Sequence, residues 1–217
     1  MLSREDNERL VRVGPGTPMG TLMRLYWMPF LLARDLLADG QPHRVRLLGE
    51  DLVAFRDSSS RCGLVDHACP HRGAPLVFAR NEDNGLRCMY HGLKFDAAGK
   101  CVQIPGQENI PPKLGVRSYP VVERDRLIWI WMGDPAKAGP AKILDFPYLR
   151  DTGWRGHPGY LHYDANYLLI VDNLSDFSHL AFVHAKTLGG SEEYAFMSKP
   201  APALSGIQFT RAWPFGT

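Results

Sequence analysis

Residues 69–91, CPHRGAPLVFARNEDNGLRCMYH, restrict what this chain can fold into more than any other stretch. They read Cys69-x-His71, sixteen residues, then Cys88-x2-His91. Two of the chain's four cysteines therefore lie close to a histidine, one pair at each end of a segment full of turn signals. Pro70, Gly73, Pro75 and Gly92 put both pairs in tight turns, at the tips of neighbouring hairpins. Two thiolates and two imidazoles suit either a structural zinc or a two-iron, two-sulfur cluster in which histidines hold one iron. A zinc finger more usually draws two cysteines from one loop and two histidines from the other. Here each loop supplies one of each. Tight turns also aim backbone N–H groups at cluster sulfurs, which helps to set the potential. His67 lies close by but fits no ligand position and reads as a surface or supporting residue.

The flanking sequence predicts the hairpins. HRVRLLGEDLVAFRD alternates with a period of two and reads as strand, Gly-Glu-Asp turn, strand. LRCMYHGLKFDAAGKCVQIP repeats the plan, with Ala98-Gly99 near its turn, and DRLIWIWMGDP is an apolar strand stopped by Gly133 and Pro135. Many short strands with frequent Gly and Pro predict an antiparallel domain over 38–136. Ahead of it, 1–37 reads as an N-terminal helical segment. Its residues 17–27, TPMGTLMRLYW, predict a short helix with Thr17 as N-cap and Pro18 at the first position. AKAGPAK, 136–142, reads as a linker, and probable strands with several prolines follow a polar Gly/Ser/Glu segment near the end. The fold class expected is α+β, mainly antiparallel β.

Bulk properties narrow the partners. A formal net charge of +2 leaves no electrostatic footprint for nucleic acid. MLSREDNERL lacks the apolar core of a signal peptide, and no stretch nears the roughly 20 apolar residues that span a bilayer. Four cysteines are too few for a disulfide scaffold of this size, so the thiols are read as reduced in a soluble, cytoplasmic chain.

A second constellation lies in DNLSDFSHLAFVH, which carries Asp172, Asn173, Asp176, His179 and His184. Mononuclear non-haem iron uses two histidines and one carboxylate on one face, leaving positions open. Asp176 and His179 are neighbours on a helix. His179 and His184 stand about 140° apart on an ideal one, so they converge on one ion only if the helix distorts or ends near Ala181–Val183. The bland reading makes them polar-face residues of an amphipathic helix. Asp172 reads as a solvated or capping acid.

CPHRGA, the sixteen-residue spacing and CMYHGLKFD resemble the signature of the Rieske non-haem iron oxygenases, in their oxygenase (alpha) component. Asn-x2-Asp-x2-His-x4-His downstream resembles the same family's mononuclear iron motif. Respiratory-type Rieske proteins carry an extra cysteine in each loop; Ala74, Met89 and Tyr90 show none here, and Leu93 stands where a tryptophan is common. The resemblance implies that Cys69 and Cys88 hold one iron of a [2Fe-2S] cluster and His71 and His91 the other. It implies that His179 and His184 bind Fe(II), that Asn173 sits near that iron, and that Asp176 bridges to His91 of an adjacent subunit. A Rieske domain (38–136) would then be followed by the start of a helix-plus-sheet catalytic domain (137–217). The family's third iron ligand is a later aspartate; none follows Asp176, and Glu192 and Glu193 in GGSEEY read as loop acids. The expectation is therefore the first part of a longer family chain.

VGPGTPMG with YW, and LLGEDLVAFRD with GLVDHACPHRGAPL, resemble the phthalate dioxygenase-like group; YLLIVDNLSDFSHLAFVH followed by LG resembles its vanillate O-demethylase branch. This implies a homotrimer, a flavin/iron–sulfur reductase delivering NAD(P)H-derived electrons, and use of O2 to O-demethylate or hydroxylate an aromatic substrate. Two further readings stand beside it: a fragment that serves only as a [2Fe-2S] electron-transfer module, and a zinc-stabilised binding domain. About two irons per chain would mean cluster only, about three a filled mononuclear site, and a colourless protein zinc.

Overall fold

The computed structural model describes residues 2–156, 159–175, 179–187, 199–203 and 206–210. The chain divides into two compact units, Met1–Tyr160 and Leu161–Thr217.

The first unit opens with helices α1 (Arg4–Val11) and α2 (Pro18–Met23). Thr17 caps α2 as predicted, its hydroxyl accepting the Gly20 N–H at 3.1 Å, with Pro18 in the first turn. The helix is shorter than its sequence pattern, and the helical reading of 1–37 holds only in part. Residues Trp27–Leu32 form strand β1, because alternate apolar residues there pair across to β10 (Leu127–Trp131). Three antiparallel sheets follow. β1 and β10 join β9 (Val121–Arg124); β2 (His43–Leu47), β3 (Glu50–Arg56) and β4 (Cys62–Asp66) form a meander. β5 (Arg80–Glu82), β6 (Gly85–Arg87), β7 (Lys94–Phe95) and β8 (Cys101–Gln103) form the third, with neighbours paired in sequence order.

The β2–β3 hairpin turns one to two residues earlier than its sequence suggests. Leu48 and Gly49 take φ of 44° and 78°, the paired left-handed conformation whose twist matches a two-residue hairpin. Glu50 is thereby drawn out of the turn, pairs with Leu47 and is buried.

Strand β3 is the centre of the unit. Leu52, Val53, Ala54 and Phe55 are all fully buried, and alternation sends them to two different cores. Val53 and Phe55 join Val65, Leu76, Leu86 and Phe95 in the core that also holds Cys69 and Cys88. Leu52 and Ala54 join Leu36, Leu64, Ile128 and Ile130 on the other face. Each large side chain so buried stabilises by ~1.5–3 kcal/mol, so the sheet that carries the first cluster loop is anchored on both sides.

The stretch 136–142, with a composition resembling a linker, belongs to the first unit. Gly139 O accepts the Trp27 indole N–H at 3.1 Å, and Ile143 is buried with Trp27, Trp129 and Trp131. Composition misleads here because one isoleucine and one carbonyl suffice to dock an otherwise Pro/Gly/Ala segment. The second unit contains helices α3 (Tyr167–Ser175) and α4 (Leu180–Val183) and the hairpin β11 (Lys199–Ala203) and β12 (Gly206–Thr210). The fold is mainly antiparallel β with few helices.

Candidate metal centre

The two Cys/His segments form a pair of loops with the same backbone hydrogen-bond pattern. In the first, Cys69 N–H donates to Ala74 O at 2.9 Å and Gly73 N–H to Cys69 O at 2.9 Å. In the second, Cys88 N–H donates to Leu93 O at 2.8 Å and Gly92 N–H to Cys88 O at 2.9 Å. Both loops need a left-handed residue four places after the cysteine, supplied by Gly73 (φ 69°) and Gly92 (φ 74°). A Cβ at Gly92 would also lie 2.7 Å from Pro105. The first loop is closed by the Ala68–Pro75 bridge and the second by the Arg87–Lys94 pair of β6 and β7, so both are hairpin tips.

This arrangement separates the two kinds of donor. Cys69 and Cys88 are each only 3% exposed and pack in the same core, whereas His71 and His91 are exposed. The histidine rings meet edge to face with centroids 4.5 Å apart, and Tyr90 lies 3.9 Å from His91. Burial pushes the Cys69 thiol above its ordinary value, and the adjacent Cys88 thiol adds to this; the backbone N–H groups of His71 and Arg72 pull the other way. Two desolvated thiols side by side, with peptide N–H groups aimed at sulfur, form a donor set that a bound metal would complete. One tetrahedral zinc needs four donors on one ion, whereas a two-iron cluster takes two on each iron. An inner thiol pair and an outer imidazole pair fit the cluster.

Charged side chains hold the loops from outside, and sequence reasoning missed them. Arg87, beside Cys88, donates to Gly92 O at 3.2 Å. Before the first loop, Asp66 accepts the Ala68 N–H at 3.3 Å and pairs with Arg117 at 3.1 Å. Arg117 also reaches buried Glu50 at 2.6 Å, which takes Arg24 at 2.7 Å and the Tyr119 hydroxyl at 2.5 Å. Burial alone would raise the Glu50 carboxyl; hydrogen bonds from Arg24 and Tyr119 with the charges of Arg117 and Arg24 outweigh it and hold it low. Strand residues such as Arg87 and Glu50 look like ordinary surface charges in sequence, and only the pairing register reveals them. His67 is half exposed and lies 3.1 Å from Asp66, a surface partner. Leu93 is buried in the core beside both cysteines.

In the second unit, α4 spans only Leu180–Val183, between His179 and His184. His179 keeps helical angles (φ −67°, ψ −21°), while His184 leaves them (φ −106°, ψ 16°). The helix ends at Val183, after little more than one turn, and the ring centroids lie 5.6 Å apart. His184 Nδ1 lies 3.3 Å from Thr187 Oγ1, a contact that orients the ring. Asn173 and Asp172 are exposed on α3. Asp176, Glu192 and Glu193 lie outside the described residues.

Comparison with known proteins follows this division. Residues 26–120 match the Rieske [2Fe-2S] domain family, and residues 163–211 match the vanillate O-demethylase oxygenase C-terminal domain. The first part is thus a Rieske iron–sulfur domain. The chain is 52% identical over 167 residues to the toluene-4-sulfonate monooxygenase system iron-sulfur subunit of Comamonas testosteroni, covering 77% of this chain and 48% of that one. It is 43% identical over 165 residues to the oxygenase component of dicamba O-demethylase from Stenotrophomonas maltophilia, covering 76% and 48%. The crystal structure of dicamba monooxygenase bound to 3,6-dichlorosalicylic acid superposes with a TM-score of 0.76 at 38% identity, covering 86% of this chain and 54% of that one. The chain spans about half the length of the curated relatives it matches. The chain thus joins a Rieske [2Fe-2S] domain to a segment of the vanillate O-demethylase oxygenase C-terminal domain, and the relatives it matches are oxygenase components of Rieske-type systems. The family's cofactors are a Rieske [2Fe-2S] cluster and a mononuclear iron.

Proposed function

We propose that this chain carries the cluster domain and part of the catalytic domain of an oxygenase component that O-demethylates or hydroxylates an aromatic compound with O2. The observation that carries the proposal is the paired-loop geometry: buried Cys69 and Cys88 beneath exposed His71 and His91. Cys69 and Cys88 would hold one iron of the cluster and His71 and His91 the other, the exposed imidazoles being open to a redox partner. His179 and His184, at the two ends of α4, are two ligands of the mononuclear iron. When bound, the cluster supplies one-electron relay and the mononuclear iron supplies dioxygen chemistry.

The chain's own residues bind and orient. Gly73 and Gly92 permit the turns that direct N–H groups to sulfur, and Thr187 sets the ring of His184. From the sequence motif, Asp176 bridges His91 of an adjacent subunit to an iron-ligating histidine, and Asn173 lies near that iron. A carboxylate shared by two imidazole N–H groups orients both rings. The same reading places a flavin/iron–sulfur reductase as electron donor, an aromatic ether or carboxylate as substrate, a homotrimer as assembly and the cytoplasm as location. In the described residues, no helix is long and apolar enough to cross a membrane.

Iron and acid-labile sulfide per chain, with visible and EPR spectra, test the proposal. About three irons and two sulfides are expected. Two irons would reduce the chain to an electron-transfer module, and colourless protein with zinc would overturn the reading. Asp176→Asn in the complete parent enzyme should leave the cluster spectrum intact and slow turnover; unchanged turnover would remove Asp176 from the electron path.

A further inference from the structure

The two cluster loops are near copies in backbone and differ in the residue that precedes the cysteine. In the first it is Ala68, with nothing to donate; in the second it is Arg87. The Arg87 side chain is only 14% exposed and its guanidinium contacts three acceptors on three different segments. Nε donates to Glu82 on β5 at 2.5 Å, Nη2 to the Gln103 side-chain oxygen on β8 at 2.9 Å, and Nη1 to the Gly92 carbonyl at 3.2 Å. Its hydrogen bond is also the main reason the Glu82 carboxyl lies below its ordinary range, so the pair stays charged.

We propose that Arg87 is a positioning residue for the cluster: it fixes the Gly92–Leu93 peptide, one residue beyond His91, and so helps to set the orientation of that ligand and the potential of the iron it would hold. The inference rests on reading Cys69, His71, Cys88 and His91 as the cluster ligands. Gly92 is left-handed, and its carbonyl would otherwise be free to rotate with the tip of the loop. A planar fork with three fixed acceptors prevents that rotation, which a lysine's single ammonium cannot do. The second loop, held by a cation on its tip carbonyl, contrasts with the first, where the Asp66 carboxylate takes the Ala68 N–H at the base of the loop. Arg87 also puts a largely buried positive charge directly before Cys88, which favours the reduced cluster electrostatically.

The test uses the whole chain with its cluster, read by iron and sulfide content, redox titration and EPR of the reduced state. Arg87→Gln should retain the cluster yet lower its midpoint potential, changing the reduced-to-oxidised ratio at the parent's midpoint about threefold, roughly half of the 59 mV that tenfold represents for one electron. Arg87→Lys should keep part of the potential but not the parent's EPR signature. Gln103→Ala, which loosens one of the three bonds, should shift both in the same direction by less. Arg80→Gln should change neither, because Arg80 is exposed and its ion pair, 3.6 Å to Glu82, does not involve a loop. Parent-like potential and EPR in Arg87→Gln overturn the proposal, as does full rescue of both by Arg87→Lys. If Arg87→Gln loses the cluster, Arg87→Lys and Gln103→Ala decide, and parent values in both overturn it. A parent without iron and sulfide would instead overturn the ligand reading on which it rests.

Discussion

The two histidine pairs are built on opposite principles. His71 and His91 stand on loops whose flanking strands pack into one shared core, and the cysteines beside them are part of that core. His179 and His184 flank a single four-residue helix in which Ala181 is the buried residue, while Phe182 and Val183 are exposed. Helix α3 before them buries none of its residues, and Leu169 and Leu174 are more than half exposed. The first pair is oriented by its own sheet. The second is brought together at a local helix end. A pre-organised loop pair can set a redox potential through fixed N–H groups, whereas a helix-end pair sets little more than the spacing of two rings.

The sharpest way to break this contrast is to remove a thiol. Cys69→Ser should abolish cluster assembly, taking iron from about three per chain to one or none and eliminating visible absorption; retained colour would show the loops are not the site. Next, His179→Ala with His184→Ala should remove about one iron per chain and leave the cluster's EPR spectrum unchanged. A loss of cluster signal in that double variant would mean the two sites are structurally coupled rather than independently built.

A third experiment examines the anchoring beneath the first loop. Glu50→Gln leaves Arg24 and Arg117 facing a neutral group and should cost about 2–3 kcal/mol at pH 7, less than a fully buried pair because Arg117 is half exposed. Because the folded Glu50 carboxyl is held low, its contribution is complete above the ordinary value of 4.5 and fades as pH falls through the lowered value. The gap between parent and variant in urea midpoint should therefore narrow below about pH 4.5. A gap independent of pH would show the network is not electrostatic. Smallest is Thr17→Ala, which removes the cap of α2 and should cost about 1 kcal/mol by the same measurement, with cluster spectra unchanged.

Much of the first region was legible because its constraints are local. Gly73 and Gly92 announce turns, Thr17-Pro18 announces a helix start, and period-two runs announce β2, β3 and β10. The errors came where a long-range contact outweighed local composition. Trp27–Leu32 became strand through pairing with β10, Ile143 docked a Pro/Gly-rich segment onto three tryptophans, and register moved Glu50 from a turn into a buried ion network. In the second region, the sequence spacing required a break between His179 and His184, and the helix ends at Val183.

The order and types of the candidate ligands, the turns that carry them and the alternation of the strands were written in the sequence, since each depends on neighbours a few residues away. Which cysteine face is buried, which arginine grips which carbonyl and how two loops sixteen residues apart become near copies depended on strand pairing across the chain. Those choices are made by burial and hydrogen bonding between segments distant in sequence, and only the folded structure decides them.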